Sequence, residues 1–232
     1  MTDHLTPIPT SARTGGLSVY NPGCALMLYK PHLADRVLDW LCASGRAAGR
    51  HDICCRHDPQ LPAGARIVNT CAGCDRRFSS LYPGISTISL WELLARAEDF
   101  PLPNYQGLPI SVHDPCPVRG KPQIHEAVRR LLERMNLRIV EAGLSGASSV
   151  CCGDSFYPAL PLEQVYQRMG ERADSMPCDD VCVYCVSCIK AMHLGGKRPR
   201  YLLDLLFGEP TDPQVCDPRL WHGQLDAYIE TH

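Results

Sequence analysis

Ten of the fourteen cysteines in this chain form two series with the same internal order. Each series consists of a single cysteine, an adjacent pair of cysteines and a C-x-x-C motif. In the first half these residues are Cys24, Cys54, Cys55, Cys71 and Cys74. In the second half they are Cys116, Cys151, Cys152, Cys185 and Cys188. Because an internal repeat marks a repeated structural unit, we expect each half to gather its five thiols at one site.

Thiolates are the ligands that zinc ions and iron–sulfur clusters prefer. A C-x-x-C motif can hold zinc from a tight turn, so one interpretation is a zinc-stabilised binding module without redox function. Adjacent cysteines chelate a single small ion poorly, because neighbouring side chains diverge, whereas a cluster of several irons offers separate or bridging positions. The two adjacent pairs therefore favour iron–sulfur clusters. The compact ferredoxin spacing C-x2-C-x2-C-x3-C is absent, and four thiolates per cluster would leave one cysteine over in each half.

Other residues near the two series are interpreted as supporting groups. Cys42 is expected to be a packed thiol and Cys216 an incidental one, whereas ligation stays an alternative for Cys178 and Cys182. Three histidines flank the series and are expected to form hydrogen bonds, with iron ligation or proton relay as the alternative: His51, His57 and His113. Basic residues near the motifs are assigned no role, since a solvated face explains them equally well: Arg56, Arg76, Arg77, Lys197, Arg198 and Arg200.

The elements that position these cysteines follow from short apolar segments that alternate with helical patterns. Strands are predicted over 17–20, 66–68, 109–112 and 180–184, and helices over 31–44, 90–97, 124–135 and 201–207. This alternation predicts an α/β fold of two pseudo-repeated lobes, with parallel sheets and cysteine-bearing loops at the strand ends. Helix amino termini favour anions, so we expect them to lower the pKa of these thiols.

The predicted domain organisation has four parts. They are a flexible lead-in over 1–16, a first cysteine-rich lobe over 17–105, a second over 106–208 and a tail over 209–232. The composition, with 45% hydrophobic and 21% charged residues, is typical of a globular protein that needs no disulfides.

Charge and hydropathy exclude several classes of protein. The 23 basic and 25 acidic residues leave a net charge of −2, so neither nucleic acid nor an anionic membrane surface is an expected partner. The amino terminus lacks a secretory signal, and no apolar stretch approaches the roughly 20 residues that span a bilayer. We expect a cytoplasmic protein, not integral to a membrane, whose thiols stay reduced. Since neither a G-x-G-x-x-G fingerprint nor a P-loop occurs, electrons must arrive from a ferredoxin-like or flavoprotein subunit.

Over about residues 18–208 the chain resembles the cysteine-rich CCG-domain family. This family is typified by the B subunit of heterodisulfide reductase and by related subunits of lactate, glycolate and glycerol-3-phosphate oxidising complexes. The family signature is matched best in the second half, by Cys116, Cys151-Cys152-Gly153 and Cys185-x-x-Cys188. The first half departs from it, because Arg56 replaces the glycine after the pair and only residues 56–70 separate the pair from Cys71.

The resemblance implies that each series of five cysteines holds a non-cubane [4Fe-4S] cluster. It further implies a subunit of an oxidoreductase that acts on a disulfide or thiol substrate, with catalysis by the clusters and no catalytic side chain assigned. A non-catalytic electron-transfer subunit of a larger dehydrogenase complex, with coordinatively closed clusters, is the alternative. The two hypotheses differ in whether a thiol can bind to a cluster.

Overall fold

Two parallel sheets, one in each half of the chain, form the framework. The computed structural model describes residues 16–213 and 216–232, so the predicted lead-in over 1–16 lies outside the described residues apart from Gly16. The first sheet has the order β1-β2-β3, with β1 Ser18–Asn21, β2 Arg66–Asn69 and β3 Ser86–Ser89. The second has the order β5-β4-β6-β7, with β4 Pro109–His113, β5 Arg138–Ile139, β6 Asp180–Val183 and β7 Arg198–Tyr201. All the strand pairs are parallel, which confirms the predicted α/β class.

Nine α-helices accompany these strands in the described ranges. They are α1 Cys24–Tyr29, α2 Pro31–Ala43, α3 Ala72–Leu81, α4 Leu90–Arg96, α5 Pro122–Arg134, α6 Leu162–Asp174, α7 Val186–Leu194, α8 Leu202–Phe207 and α9 Pro218–Thr231. Both α2 and α5 begin with a proline, whose missing N–H has no helical partner at that position. In each of these two helices, apolar residues at helical spacing form the buried face. In α2 they include Leu33, Val37 and Leu41.

The two halves share one topology. Strands β1, β2 and β3 correspond to β4, β6 and β7, and helices α3 and α4 correspond to α7 and α8. Where β5 pairs with β4 in the second half, Arg50 forms a parallel bridge with Tyr20 of β1 in the first. The first strand of each half, β1 or β4, is therefore flanked on both sides by segments that follow it in the chain. In parallel sheets a crevice forms at such a switch point, outside the carboxyl ends of the strands.

The halves pack together through reciprocal contacts. Helix α1 of the first half packs on α7 of the second, and α3 packs on the 3-10 turn at Cys116–Val118 that stands in the place of α1. An ion pair between Asp75 and Lys121 reinforces this second contact. Helix α4 packs on α5, while the guanidinium of Arg36 on α2 lies 4.0 Å from the ring centroid of Phe207 on α8. Such an exchange of equivalent contacts is the pattern of a twofold-symmetric interface, and one hydrophobic cluster runs through both halves.

Several elements lie outside the predicted set. The polar strands β3 and β7, the two-residue strand β5 and the helices α1, α3, α6, α7 and α9 were not delimited from sequence. Helix α9 places a regular element in the predicted tail, where Trp221 is buried. No helix within 16–213 or 216–232 combines the length and apolar character that crossing a membrane requires.

Candidate metal centres

The five first-half cysteines meet at the carboxyl ends of β1 and β2. Cys24 begins α1, Cys71 is the N-cap of α3, and Cys74 lies in the first turn of that helix. Cys54 and Cys55 come from the loop that follows the bridge at residue 50. The thiols shift one another's pKa values in the order Cys24, Cys54, Cys55, Cys74, Cys71, which places them next to one another in this order.

The second half repeats this arrangement at the carboxyl ends of β4 and β6. Cys116 begins the 3-10 turn, Cys151 and Cys152 lie in a loop, and Cys185 and Cys188 are the N-cap and first turn of α7. These thiols shift one another's pKa values in the order Cys116, Cys151, Cys152, Cys188, Cys185. The structure thus brings the ten predicted site residues together in two groups of five, with the same order of contacts.

The adjacent pairs differ from the sequence expectation, because they stand neither at a strand end nor at the head of a helix. Without a regular element, their backbone groups need other partners. The N–H of Cys54 donates to the carbonyl of His232 at 3.0 Å, and Arg77 Nε donates to the carbonyl of Cys55 at 3.1 Å. The side chain of His57 also bonds to the carbonyl of Ile229, over 2.9 Å. The first pair is therefore held by the C-terminal helix as well as by α3.

In each adjacent pair the pKa of the first thiol is lowered and that of the second is raised. Hydrogen bonds from the thiols of Cys24 and Cys55 lower the pKa of Cys54 to about 2. In the second group Cys116 and Cys152 in the same way lower the pKa of Cys151. The mechanism is donation to a thiolate by its neighbours, which leaves the donors with raised pKa values.

The predicted effect of helix amino termini on the thiol pKa acts beside a second effect, which is the crowding of thiols. Cys54 and Cys151 lie on loops, yet their pKa values are lowered strongly. Cys71, the N-cap of α3, has its pKa lowered to about 7; the largest cause is a hydrogen bond from the Cys74 thiol, and the backbone N–H groups of Gly73 and Cys74 in the first turn of α3 lower it further. Crowding of thiols, which sequence alone cannot quantify, lowers the pKa of some of these thiols and raises that of others.

A histidine completes the second group. A ring nitrogen of His113 and the sulfurs of Cys152 and Cys188 lie within 4.8 Å of one another, and all three residues are buried. The other two flanking histidines bond to backbone carbonyls, as expected for supporting groups: His51 to Pro59 at 2.9 Å and His57 to Ile229.

A crevice of about 220 Å³ opens beside the first group of cysteines. Its lining includes all five first-half cysteines and also Cys185 of the second group. Three arginines contribute to the lining, Arg56, Arg76 and Arg77, and the apolar part comes from Tyr184, Tyr201, Leu225 and Ile229. The first group is therefore next to a space of small-molecule size, with a thiol of the second group on its wall.

The remaining four cysteines lie at the margins of these groups or away from them. Cys182 is fully buried in β6, and the N–H of Cys178 donates to Ser111 Oγ at 2.9 Å. Cys216 Sγ donates to the carbonyl of Pro213 at 3.4 Å. The prediction of a packed Cys42 is wrong: this thiol is exposed, since the buried stripe of α2 runs along Leu33, Val37 and Leu41.

Comparison with known protein families finds no match, and comparison with curated proteins finds none either. What the chain does must therefore be inferred from the two sulfur groups and the residues around them.

Proposed function

We propose that the protein is an iron–sulfur oxidoreductase subunit of the heterodisulfide reductase B type, which carries out disulfide or thiol redox chemistry in the cytoplasm. Each group of five cysteines would hold one non-cubane [4Fe-4S] cluster. The observation that carries the proposal is the identical order of sulfur contacts in the two halves, because a repeated five-sulfur arrangement exceeds what one zinc ion takes up.

The donor set fits a cluster. Each group offers five sulfurs, the soft ligands that iron–sulfur clusters select. The backbone also passes close to these sulfurs, where only a glycine fits. A Cβ at Gly23 would lie 2.9 Å from Cys71 Cβ and 3.4 Å from Cys74 Sγ. The closeness of the chain at this point indicates a cradle built around the sulfurs.

A bound cluster would supply single electrons and an iron that can bind a substrate sulfur. The chain would supply the surroundings in which this chemistry runs. Leu225 and Ile229 give the crevice an apolar wall that limits water, and the arginines of its lining place positive charge beside a substrate. Cys185 of the second group lies on the same wall, so both groups of cysteines border this crevice. A ferredoxin-like or flavoprotein subunit would deliver those electrons.

Metal and acid-labile sulfide analysis of anaerobically purified protein tests the proposal. Two clusters require about eight irons and eight sulfides per chain. Replacing Cys54 by serine should lower both contents to about four, because one group loses one of its five sulfurs. The matched control is Cys182→Ser, which should leave both contents unchanged because Cys182 lies in β6. Zinc without sulfide would refute the iron–sulfur function and favour a binding module.

Paramagnetic resonance before and after addition of a thiol separates the two redox hypotheses. A substrate-binding cluster should change its spectrum when a thiol binds to its iron. Clusters that are redox active but unchanged by thiols and disulfides would instead identify an electron-transfer subunit.

A further inference from the structure

The imidazole of His113 is buried with one of its two ring nitrogens unpaired among the described residues. It is the last residue of β4 and is fully buried, and a ring nitrogen lies within 4.8 Å of the sulfurs of Cys152 and Cys188. Among the described residues, Nε2 of this ring has no hydrogen-bond partner. A buried polar group left without a partner costs about 1–3 kcal/mol, so an acceptor is expected here.

Arg172 determines which ring nitrogen carries the proton. Its Nε–H donates to Nδ1 of His113 at 3.1 Å. A guanidinium has no acceptor, so Nδ1 must present its lone pair and the neutral ring carries its hydrogen on Nε2. The guanidinium is itself held by the carbonyl of Leu144 at 3.0 Å and by Ser149 Oγ at 3.2 Å. In this tautomer Nε2 cannot ligate iron, and it can donate to sulfur.

We propose that His113 donates an Nε2–H hydrogen bond to a sulfur at the second site, and that this gives the second cluster a higher reduction potential than the first. The inference rests on the proposed function. Hydrogen bonds to sulfur stabilise the more negative, reduced form of a cluster, which raises its potential. His113 is thus a positioning residue. It would set the reduction potential through a cluster sulfur and would not contact the substrate.

The first half has an acceptor at the corresponding place. Asn21 ends β1 as His113 ends β4, three residues before the single cysteine of its half. Its Nδ2 donates to the carbonyl of His51 at 3.1 Å, which leaves the buried Oδ1 without a partner among the described residues. An amide oxygen cannot donate to a sulfur.

A second position shows the same asymmetry. Ser155, four residues after Cys151, places its hydroxyl 2.9 Å from the sulfur of Cys151. Four residues after Cys54 stands Asp58, whose carboxylate accepts from the N–H of Gln60 at 2.8 Å. Side-chain donors therefore accompany the second group, whereas acceptors stand at both corresponding positions in the first.

Redox titration of the full chain, followed by paramagnetic resonance, tests the inference. The wild type should show two unequal midpoint potentials. His113→Asn introduces the residue that stands at the corresponding position of the first half. It should lower the equilibrium constant for reduction of the higher-potential cluster about tenfold, which lowers its midpoint potential by about 59 mV for one electron. His113→Gln keeps an N–H donor and should retain part of the difference. The control His125→Leu removes another buried histidine of the second half and should leave both potentials unchanged.

Two further outcomes separate this inference from the function on which it rests. Wild-type protein without iron and sulfide would refute the proposed function. Two loaded clusters whose potentials do not respond to His113→Asn would refute the role of His113 and leave the proposed function standing. Where a variant loads poorly, electron–nuclear double resonance on the wild type decides: an exchangeable proton coupled to the higher-potential cluster is expected, and its absence contradicts the inference.

Discussion

Gly23 shows how closely the backbone passes the first group of cysteines. Its φ of +79° lies in the left-handed region that favours glycine, and a Cβ there would meet Cys71 at 2.9 Å. Gly107 has the same φ of +79°, yet a Cβ there would meet nothing within 4 Å. The pair separates the cost of backbone conformation from the cost of crowding the sulfurs.

We expect Gly23→Ala and Gly107→Ala each to lose about 1–2 kcal/mol of unfolding free energy from the strained φ. Only Gly23→Ala should displace Cys71 and so reduce the iron content from about eight to about four per chain. Denaturant unfolding and iron analysis of both variants check this. Equal iron contents in the two variants would contradict a cluster cradle at Gly23.

The ten site cysteines could be selected from sequence because their order repeats, and the structure groups them in the same two sets. The role of His113 could not be deduced in this way. It depends on Arg172, which is 59 residues away on α6, a helix outside the predicted set. The position of Cys185 on the wall of the first crevice was equally out of reach, because it follows from how the two halves pack.

At the scale of elements, strands and helices with clear apolar periodicity were predicted within a few residues of their observed bounds. The strands that were missed lack this signal: β3 reads Ser-Thr-Ile-Ser, and β7 reads Arg-Pro-Arg-Tyr at the edge of its sheet. Helix α9 carried a recognisable start, with Asp217 as N-cap and Pro218 in the first turn. Its mixed composition hid the rest.

Helix α9 connects the two cysteine groups through separate contacts. Near its start, Trp221 Nε1 donates to Ser187 Oγ, inside the second C-x-x-C motif, at 3.0 Å. The ammonium of Lys190 lies 5.1 Å from the centroid of the same indole ring. Farther along, the carbonyl of Ile229 holds His57 beside the first pair. The helix is therefore a brace across both sites.

Trp221→Ala should release this brace. We expect a loss of about 3 kcal/mol, because a large buried side chain and its hydrogen bond are removed. Amide hydrogen exchange in α9 and thiol labelling of Cys54 should both become faster. The neighbouring Leu220, 64% exposed, supplies the control, and Leu220→Ala should change stability by about 0.5 kcal/mol or less. Unchanged labelling of Cys54 in Trp221→Ala would argue against the brace.

At the scale of the whole molecule, the repeat is also a packing scheme. Helix α1, which begins at Cys24, packs against α7 of the second C-x-x-C motif. Helix α3 of the first C-x-x-C motif packs against the turn that begins at Cys116. The buried carboxylate of Asp204 on α8 accepts from Tyr29 Oη and Lys30 Nζ of the first half, each at 2.7 Å. Polar and apolar contacts therefore both make each half depend on its counterpart.

We expect neither 17–105 nor 106–232 to fold when expressed alone, because each would expose its share of the common hydrophobic cluster. Co-expressed, the two segments should form a one-to-one complex with the circular dichroism spectrum of the intact chain. Size-exclusion chromatography and thermal unfolding check this. Cooperative unfolding of either segment by itself would show that the predicted lobes are independent domains.

The hydrogen bond between His57 and Ile229 joins residues that are 172 positions apart, so its two partners are synthesised at different times. A ribosome that adds about 5 to 20 residues per second needs roughly 10 to 30 seconds to cover that distance. During this interval the cysteine loop of the first half has left the ribosome, while the helix that braces it has not been made. Iron and sulfide can reach the cysteines of the first half during this interval, and the synthesis of α9 then closes the site.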